Sequence, residues 1–161
     1  LNDPVTAADQ QANTLIVEGL ATNFPRDSII AEESRPPLHL QRTGRIWYVD
    51  PLDGTKEFIS RNGEFSIMIG LALNAQAQLG VVYRPTEDQL FVGVTGLESW
   101  MEHQGARHPL TASQAKDPHA LSLVASRSHR SPHLSTIKHT LNIQNEFPMG
   151  SVGLKIGFIA Q

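Results

Sequence analysis

One stretch of the 161-residue sequence organises the rest, and it reads Trp47-Tyr48-Val49-Asp50-Pro51-Leu52-Asp53-Gly54-Thr55-Lys56-Glu57-Phe58. Its apolar, β-prone beginning predicts a buried strand from Arg45 to Val49. Two carboxylates, Asp50 and Asp53, follow at the carboxyl end of this strand. They repel each other unless a cation neutralises them, so they indicate a site for a hard metal such as Mg²⁺. The alternative is an ordinary Asp-Gly turn, because both residue types favour turns for backbone reasons.

Composition limits the classes of protein to which this chain can belong. A hydrophobic content of 40% and a charged content of 18% are typical of a soluble globular domain, or of part of a larger one. The net charge of −3 argues against an electrostatic nucleic-acid binder. The absence of cysteine excludes disulfides and thiolate metal sites, and it fits a reducing compartment. No apolar run approaches the ~20 residues that would span a bilayer.

The chain begins with a predicted helix. Thr6 is suited to cap its N-terminus, and Asp9 completes a pattern like a capping box. Apolar residues then repeat at helical spacing until Pro25, where the helix should end. Taken alone, Asp9 is better explained as part of this cap than as a catalytic group.

A second acidic position lies before the Asp-Pro-Leu-Asp stretch. Ser28–Ala31 is predicted to be a short buried strand that runs into Glu32, followed by an exposed connection from Arg35 to Gly44. Glu32 would therefore lie at the end of one strand, and Asp50 and Asp53 at the end of another. Three carboxylates in this arrangement are what a two-metal phosphoryl-transfer site requires.

The rest of the chain divides into a meander and an α/β segment. The predicted antiparallel strands of the meander are Phe65–Leu73, Leu79–Tyr83, Gln89–Val94 and Ser99–His103. After Pro109 the pattern becomes strand, helix, strand, helix, with a strand at Leu121–Ala125 and a last helix at Val152–Ala160. This order predicts the start of a parallel α/β layer. We expect an N-terminal metal-binding part at 1–108 and an incomplete C-terminal part at 109–161.

Phosphate chemistry also needs hydrogen-bond donors and a positioned water molecule. The backbone N–H groups of Gly54 and Thr55 could meet a phosphate, most effectively if Thr55 begins a helix. The Thr55 hydroxyl could accept a hydrogen bond from the attacking water while it donates its own proton to a carboxylate. Asp9 is a candidate for that carboxylate, which would give a Thr–Asp pair that orients the water.

Two further segments are candidates for ligand binding. Ser126 to His129 follow a predicted strand, at the edge where α/β sheets bind ligands. From spacing alone, an ordinary polar strand-to-helix turn with Ser as a helix cap explains them slightly better. Gly150 and Ser151 precede the last helix and Lys155 lies one turn into it, where together they could hold an anion. Lys155 could also be an ordinary surface lysine. The chain has no GxxxxGK[ST] and no GxGxxG motif.

Several linked motifs resemble the inositol monophosphatase superfamily in type and in order. They are Asp3-x-x-Thr6-x-x-Asp9, Ala31-Glu32-Glu33, Trp47-x-Val49-Asp50-Pro51-Leu52-Asp53-Gly54-Thr55 and Gly150-Ser151-x-Gly153-Leu154-Lys155. Within the superfamily, three further stretches are similar to the CysQ type of 3′(2′),5′-bisphosphate nucleotidase: Lys56-Glu57-Phe58, Arg61-Asn62-Gly63-Glu64-Phe65 and Ser126-Arg127-Ser128-His129. Inositol monophosphatases have Thr-Asn-Phe at the first of these.

The resemblance implies a fold, a reaction and a set of site residues. The fold would be a layered α/β sandwich of the αβαβα type shared with fructose-1,6-bisphosphatase, here truncated at both ends. The reaction would be hydrolysis of adenosine 3′,5′-bisphosphate to AMP and phosphate by direct attack of water. Two or three Mg²⁺ ions would assist it, and Li⁺ would inhibit it. The protein would be cytoplasmic or located at the inner face of the membrane.

Roles carry over residue by residue as expectations. The implied catalytic residues are Asp9, Glu32 and Thr55. The implied metal ligands are Glu32, Asp50, the carbonyl of Leu52, and Asp53. The implied substrate-binding residues are Glu32, Leu52, Asp53, Gly54, Thr55, Ser126, His129, Ser151 and Lys155.

The chain also departs from the superfamily pattern. The resemblance implies a helix before the Asp-x-x-Thr motif and a Trp-Asp motif after the last helix; the 161 residues contain neither, so we expect them to lack one carboxylate of the complete site. The sequence begins with Leu1 and not with Met, so the true N-terminus should be missing or processed. We therefore expect the 161-residue chain to be weakly active or inactive. The alternatives to a bisphosphate nucleotidase are an inositol- or sugar-phosphate phosphatase and a non-catalytic nucleotide-binding relative. The oligomeric state stays open.

Overall fold

The structure is a computed structural model, and it describes residues 5–35, 43–115, 117–128 and 130–161. Most of the predicted connection from Arg35 to Gly44 lies outside the described residues. The helices are α1 (Ala7–Asn23), α2 (Thr55–Ile59), α3 (Leu134–Leu141) and α4 (Val152–Ile159), with a 3₁₀ turn at Pro118–Ala120. The strands are β1 (Ser28–Ala31), β2 (Arg45–Asp53), β3 (Ser66–Leu73), β4 (Gln76–Arg84), β5 (Gln89–Val94), β6 (Ser99–His103), β7 (Ala106–Pro109), β8 (Ser122–Ser126) and β9 (Asn145–Met149).

Seven strands form one sheet in the order β1-β2-β3-β4-β5-β6-β7. β1 and β2 are parallel, and every later neighbouring pair in this sheet is antiparallel, which confirms the predicted meander. β7 was not predicted, because all four of its residues are exposed and show no apolar alternation. Its Pro109 stands at the end of an edge strand, where a missing N–H group is tolerated.

β8 and β9 form a separate two-stranded sheet. They are parallel, with α3 between them in the sequence, which confirms the predicted α/β character of this segment. The first sheet ends at Pro109 and the second begins at Ser122. The division of the chain near residue 108 remains a prediction, since α4 contacts both sheets.

The first sheet carries a helix on each face. α1 contacts β1 and β2, and the ring of Phe24, which follows its last turn, lies 5.0 Å from the ring of Trp47 in β2. α4 packs against β3 and β4, and its Gly157 packs against the ring of Phe91 in β5, where a Cβ would lie 3.1 Å from ring atoms. Because neighbouring side chains of a strand point to opposite faces, these contacts place α1 and α4 on opposite sides of the sheet. No helix among the described residues is long and apolar enough to cross a membrane.

α1 begins and ends as its sequence predicts. The Thr6 hydroxyl accepts hydrogen bonds from the backbone N–H groups of Ala8 and Asp9, and the Asp9 carboxylate accepts one from the N–H of Thr6 at 2.8 Å. This reciprocal capping box satisfies N–H groups that have no partner within the helix. The position of Asp9 is therefore fixed by the first turn of α1.

Candidate active site

The site is built on the end of β2, which does not stop at Val49 as predicted. The strand continues to Asp53 with a bulge, because two residues of β2 stand between the pairs Asp50↔Met68 and Asp53↔Ser66, whereas β3 has one. Bulges re-aim side chains at the end of a strand, so Asp50 and Asp53 belong to a bulged strand, and the predicted Asp-Gly turn follows at Gly54, between β2 and α2. The Leu52 N–H donates to Asp50 Oδ1 at 3.1 Å, which holds that carboxylate against the bulge.

Gly54 ends the strand and allows α2 to begin. Its φ is 100°, in the left-handed region, and a Cβ at this position would lie 3.0 Å from the carbonyl oxygen of Glu64. A residue with a side chain would be both strained and crowded here. α2 then begins at Thr55, so the helix start that would favour phosphate contacts by Gly54 and Thr55 is present.

Glu32 and Asp50 form a carboxylate pair at the adjacent ends of β1 and β2. The Glu32 N–H donates to the carbonyl of Val49 at 3.0 Å, which continues the parallel pairing and brings the two side chains into hydrogen-bond contact. Burial, followed by the charges of Glu32 and Asp53, raises the pKa of Asp50 to about 7. Burial and the charges of Asp9 and Glu32 likewise raise the pKa of Glu33. Burial and the neighbouring carboxylates thus both oppose the ionisation of Asp50 and Glu33.

Asp53 is held by the start of α4. Its Oδ2 accepts hydrogen bonds from the Gly153 N–H at 2.7 Å, from the Ser66 hydroxyl at 3.3 Å and from the Ser151 hydroxyl. Ser151 is fully buried and also caps α4, because its Oγ accepts from the Leu154 N–H at 3.0 Å. Backbone N–H groups at a helix start favour a carboxylate, so α4 fixes and stabilises the charge of Asp53.

Thr55 lies against Asp9, although 46 residues separate them in the sequence. The Thr55 hydroxyl reaches Asp9 Oδ1 at 3.2 Å and the Leu52 carbonyl at 3.3 Å. Asp9 is only 2% exposed, and its Oδ2 is occupied by the backbone N–H and the hydroxyl of Thr6. The carboxylate therefore caps α1 with one oxygen and meets Thr55 with the other, so both interpretations of Asp9 describe real contacts.

A cleft of about 410 Å³ opens above these groups. The predicted site residues that line it are Glu32, Asp50, Leu52, Asp53, Gly54, Thr55, Ser126 and Lys155. Lys155 extends beside the end of β9, where its Nζ donates to the carbonyls of Met149 at 3.4 Å and Gly150 at 3.2 Å. The cleft thus combines an acidic floor with a lysine on its wall.

Two predicted site residues among those described do not line the cleft. Asp9 and Ser151 are buried behind residues that line the cleft. Asp9 accepts a hydrogen bond from Thr55, and Ser151 donates one to Asp53. His129 lies outside the described residues. Direct contact between substrate and Ser151 or His129 stays a prediction.

Four residues outside the predicted list of site residues also line the cleft: Lys56, Glu57, Gly150 and Val152. Lys56 and Glu57 follow Thr55 directly, and their difference from the Thr-Asn of inositol monophosphatases could have drawn attention to them. Glu57 is only 4% exposed, and it accepts a hydrogen bond from the Ser128 hydroxyl. Gly150 was quoted in the motif that begins the last helix, but its packing against Glu57 could not be read from the sequence.

The donor chemistry of the cleft floor fits a hard cation such as Mg²⁺. The available ligands are carboxylate oxygens of Glu32, Asp50 and Asp53 and the carbonyl oxygen of Leu52, and Mg²⁺ prefers oxygen. Burial and, after it, the charges of Glu32 and Asp53 raise the pKa of Asp50, and a bound cation would oppose both effects. Across the described ranges, however, no three acidic or histidine side chains are already arranged around one metal position. All the contacts of Asp53 named above involve Oδ2, and none of them uses Oδ1.

Known proteins with the same fold and similar sequence include several phosphatases. The chain is 39% identical over 161 residues to the 3′(2′),5′-bisphosphate nucleotidase CysQ of Escherichia coli K12. The alignment covers 99% of this chain and 63% of that protein. It superposes on the structure of an inositol monophosphatase from Anabaena with a TM-score of 0.81 at 31% identity, covering 96% of this chain and 62% of that one. A Ca-bound inositol monophosphatase family protein from Staphylococcus aureus superposes with a TM-score of 0.78 at 20% identity. The superposition covers 99% of this chain and 59% of that protein, and at this identity it supports the fold alone.

These likenesses agree with the layered α/β architecture described above. The chain spans a little under two thirds of the length of these relatives. The model of the inositol monophosphatase family matches residues 1–161. Because this match extends over the whole sequence, the protein belongs to the inositol monophosphatase family.

Proposed function

We propose that the whole protein is a magnesium-dependent 3′(2′),5′-bisphosphate nucleotidase that converts adenosine 3′,5′-bisphosphate to AMP and phosphate. The observation that carries this proposal is the contact between Thr55 and the buried Asp9 at the edge of the carboxylate-lined cleft. The 39% identity to a nucleotidase of E. coli supports the choice of substrate class. A cytoplasmic location is proposed with it, as is inhibition by Li⁺.

Mg²⁺ held by Glu32, Asp50, Asp53 and the Leu52 carbonyl would lower the pKa of a water molecule and neutralise charge on the phosphate. Thr55 would orient the attacking water, because its hydroxyl donates to Asp9 and its lone pairs can accept. The water oxygen forms a bond to phosphorus as the bond from phosphorus to the ribose 3′-oxygen breaks. The attacking water gives up one proton to solvent and the ribose oxygen takes up one from solvent, which yields AMP and inorganic phosphate without a covalent intermediate on the protein.

Lysine side chains on the wall of the cleft suit the charge of the proposed substrate. Lys155 and Lys56 both line the cleft, and the first is fixed by backbone carbonyls at the end of β9. A substrate with two phosphate groups carries more negative charge than a monophosphate and gains more from two lysines. The carboxylate floor repels such a substrate unless cations are bound, so the proposal requires a divalent metal.

A substrate panel tests the proposal in the whole protein. Phosphate release would be measured from adenosine 3′,5′-bisphosphate, inositol 1-phosphate and a sugar phosphate, each with Mg²⁺, without it, and with added Li⁺. The bisphosphate should react fastest, only with Mg²⁺, and more slowly with Li⁺. Faster release from inositol phosphate would favour the alternative suggested by the structural likeness to the Anabaena protein. Tight nucleotide binding in calorimetry without turnover would instead indicate a non-catalytic binding protein.

A further inference from the structure

Glu64, in the segment between α2 and β3, reaches across to the ends of β8 and β9. Its Oε2 accepts from Arg127 Nε at 2.7 Å and its Oε1 accepts from Arg127 Nη2, which makes the ion pair bidentate. Oε2 also accepts from the Gly150 N–H at 3.0 Å, and the arginine donates to the Pro148 carbonyl at 2.9 Å. We name Glu64, Arg127 and Gly150 the interlayer clamp, since they join the two sheets.

Gly150 is held from its other side by Glu57. A Cβ on Gly150 would lie 2.2 Å from Glu57 Cγ and 2.4 Å from its Cδ, closer than non-bonded atoms approach. The same Glu57 accepts from the Ser128 hydroxyl, next to Arg127. Two glutamates therefore fix the residue that precedes the cap of α4, one by hydrogen bonding and the other by packing.

The geometry of the clamp distinguishes it from an ordinary surface ion pair, which contributes little to stability. The Glu64 side chain is only 16% exposed, although that of Arg127 is 45% exposed. Hydrogen bonds from Arg127 lower the pKa of Glu64, and the Gly150 N–H contributes in the same direction. Because two N–H groups of Arg127 and the Gly150 N–H all donate to the shielded Glu64 carboxylate, the interaction fixes the orientation of these groups as well as pairing their charges.

The clamp lies one residue from the group that holds Asp53. Gly150 precedes Ser151, whose hydroxyl binds Asp53 Oδ2 and caps α4. A shift of Gly150 would move Ser151 and the Gly153 N–H together, and with them the orientation of the Asp53 carboxylate. Displacements of about 1 Å in the support of a site can cost ~10²-fold in rate.

We propose that Glu64 and Arg127 are positioning residues, which set the orientation of Asp53 through Gly150 and the start of α4. This role rests on the proposed function, because it matters for rate only if Asp53 works at the reacting centre. Neither residue lines the cleft, so their effect on the reaction is indirect.

The test combines Glu64→Gln and Arg127→Lys with a matched control in the whole protein. Glu102→Gln is the control, because it removes an exposed carboxylate that pairs with Arg107 at 3.3 Å between β6 and β7, far along the sheet. Amide hydrogen exchange over residues 150–154 should become about tenfold faster in Glu64→Gln and stay unchanged in the control. In hydrolysis of adenosine 3′,5′-bisphosphate, kcat should fall by at least about tenfold, with the urea midpoint close to that of the control.

The conservative variant separates positioning from a general loss of folding. Arg127→Lys keeps the charge but loses the bidentate geometry, so its kcat should lie between those of the wild-type protein and Glu64→Gln. Unchanged exchange over 150–154 in Glu64→Gln would overturn the clamp, even if the protein hydrolyses the nucleotide. Faster exchange in a protein whose wild type shows no turnover would leave the clamp standing and overturn the proposed function. A fall in kcat matched by an equal fall in the control would also overturn the positioning role.

Discussion

At the scale of single residues, Thr55 joins two parts of the site that are distant in sequence. Its hydroxyl reaches Asp9 on α1 and the carbonyl of Leu52 in the bulge of β2. The sequence analysis named Asp9 as a candidate partner of Thr55, because a threonine that orients a water molecule needs a carboxylate to accept its hydroxyl proton. The hydrogen bonds from the start of α4 to Asp53 could not be expected, because no local sequence pattern links Asp53 with Ser151, 98 positions later.

Replacing Thr55 by Val should impair the reaction without unfolding the protein. Valine keeps the shape but removes the hydroxyl that orients the water, so kcat for phosphate release should fall by ~10²-fold or more. The matched control is Thr95→Val, which removes an exposed hydroxyl that donates to the Ala77 carbonyl at 2.7 Å. A rate equal to that of the control would contradict the assigned role of Thr55.

The raised pKa of Asp50 predicts that the metal-free protein loses stability as the pH rises. Folding raises this pKa from 3.8 to about 7, so the folded chain holds the proton more tightly than the unfolded chain does. The contribution is complete below pH ~4 and is lost as the pH rises through about 7. In EDTA, the free energy of unfolding measured by urea titration should decrease across this window.

Asp50→Asn should flatten this decrease, whereas Glu98→Gln, at an exposed carboxylate between β5 and β6, should leave it in place. Added Mg²⁺ should also flatten it, because a bound cation favours the ionised carboxylates. The explanation is wrong if Asp50→Asn and the wild-type protein follow the same pH dependence.

At the scale of elements, the sequence predicted the helices better than the ends of the strands. Thr6, Asp9 and Pro25 mark the limits of α1 through chemistry that acts within one turn. The extension of β2 to Asp53 depends instead on pairing with Ser66, a tertiary contact that overrides the usual effect of Pro51. β7 was missed for a related reason, because it is stabilised by pairing with β6 and not by burial.

The close approach of α4 to the sheet predicts a cost for any side chain at Gly153. A Cβ there would lie 2.6 Å from Ser66 Oγ, 2.9 Å from Val82 Cγ1 and 3.0 Å from Met68 Cγ. Gly153→Ala should therefore reduce the free energy of unfolding by about 1–3 kcal/mol. It should also weaken the hydrogen bond from residue 153 to Asp53.

Gly19→Ala provides the opposite case on α1. A Cβ at Gly19 would meet no atom within 4 Å, and alanine is the better helix former, so the variant should gain up to ~1 kcal/mol. Urea unfolding of the two variants and the wild type would measure both effects. Equal stability of the two variants would show that α4 can withdraw from the sheet without cost.

At the scale of the whole molecule, the two sheets differ in how much they bury. Among the described strands, the buried apolar side chains of the first sheet are Ala31, Ile46, Trp47, Val49, Pro51, Leu52, Phe91 and Val92, whereas the second sheet has Ala125. A two-stranded sheet is marginal by itself and depends on its neighbours. The β8–β9 sheet should therefore open without unfolding of the first.

Native-state hydrogen exchange measures this difference directly. Amides of β8 and β9 should exchange at least about tenfold faster than those of β2, β3 and β4, and with a weaker dependence on urea. Pepsin fragments that cover 45–84 and 122–149 would report the two groups separately. A single common opening free energy for both fragments would contradict the prediction.

The capping box of α1 gives the molecule a built-in reporter. One oxygen of Asp9 closes the first turn of the helix while the other meets Thr55, so whatever reorients this carboxylate also disturbs residues 5–9. Val5 is half exposed just ahead of that turn. An environment-sensitive dye attached at residue 5 should change its fluorescence emission when a ligand binds in the cleft. Such a dye would also detect ligands that are bound but not hydrolysed.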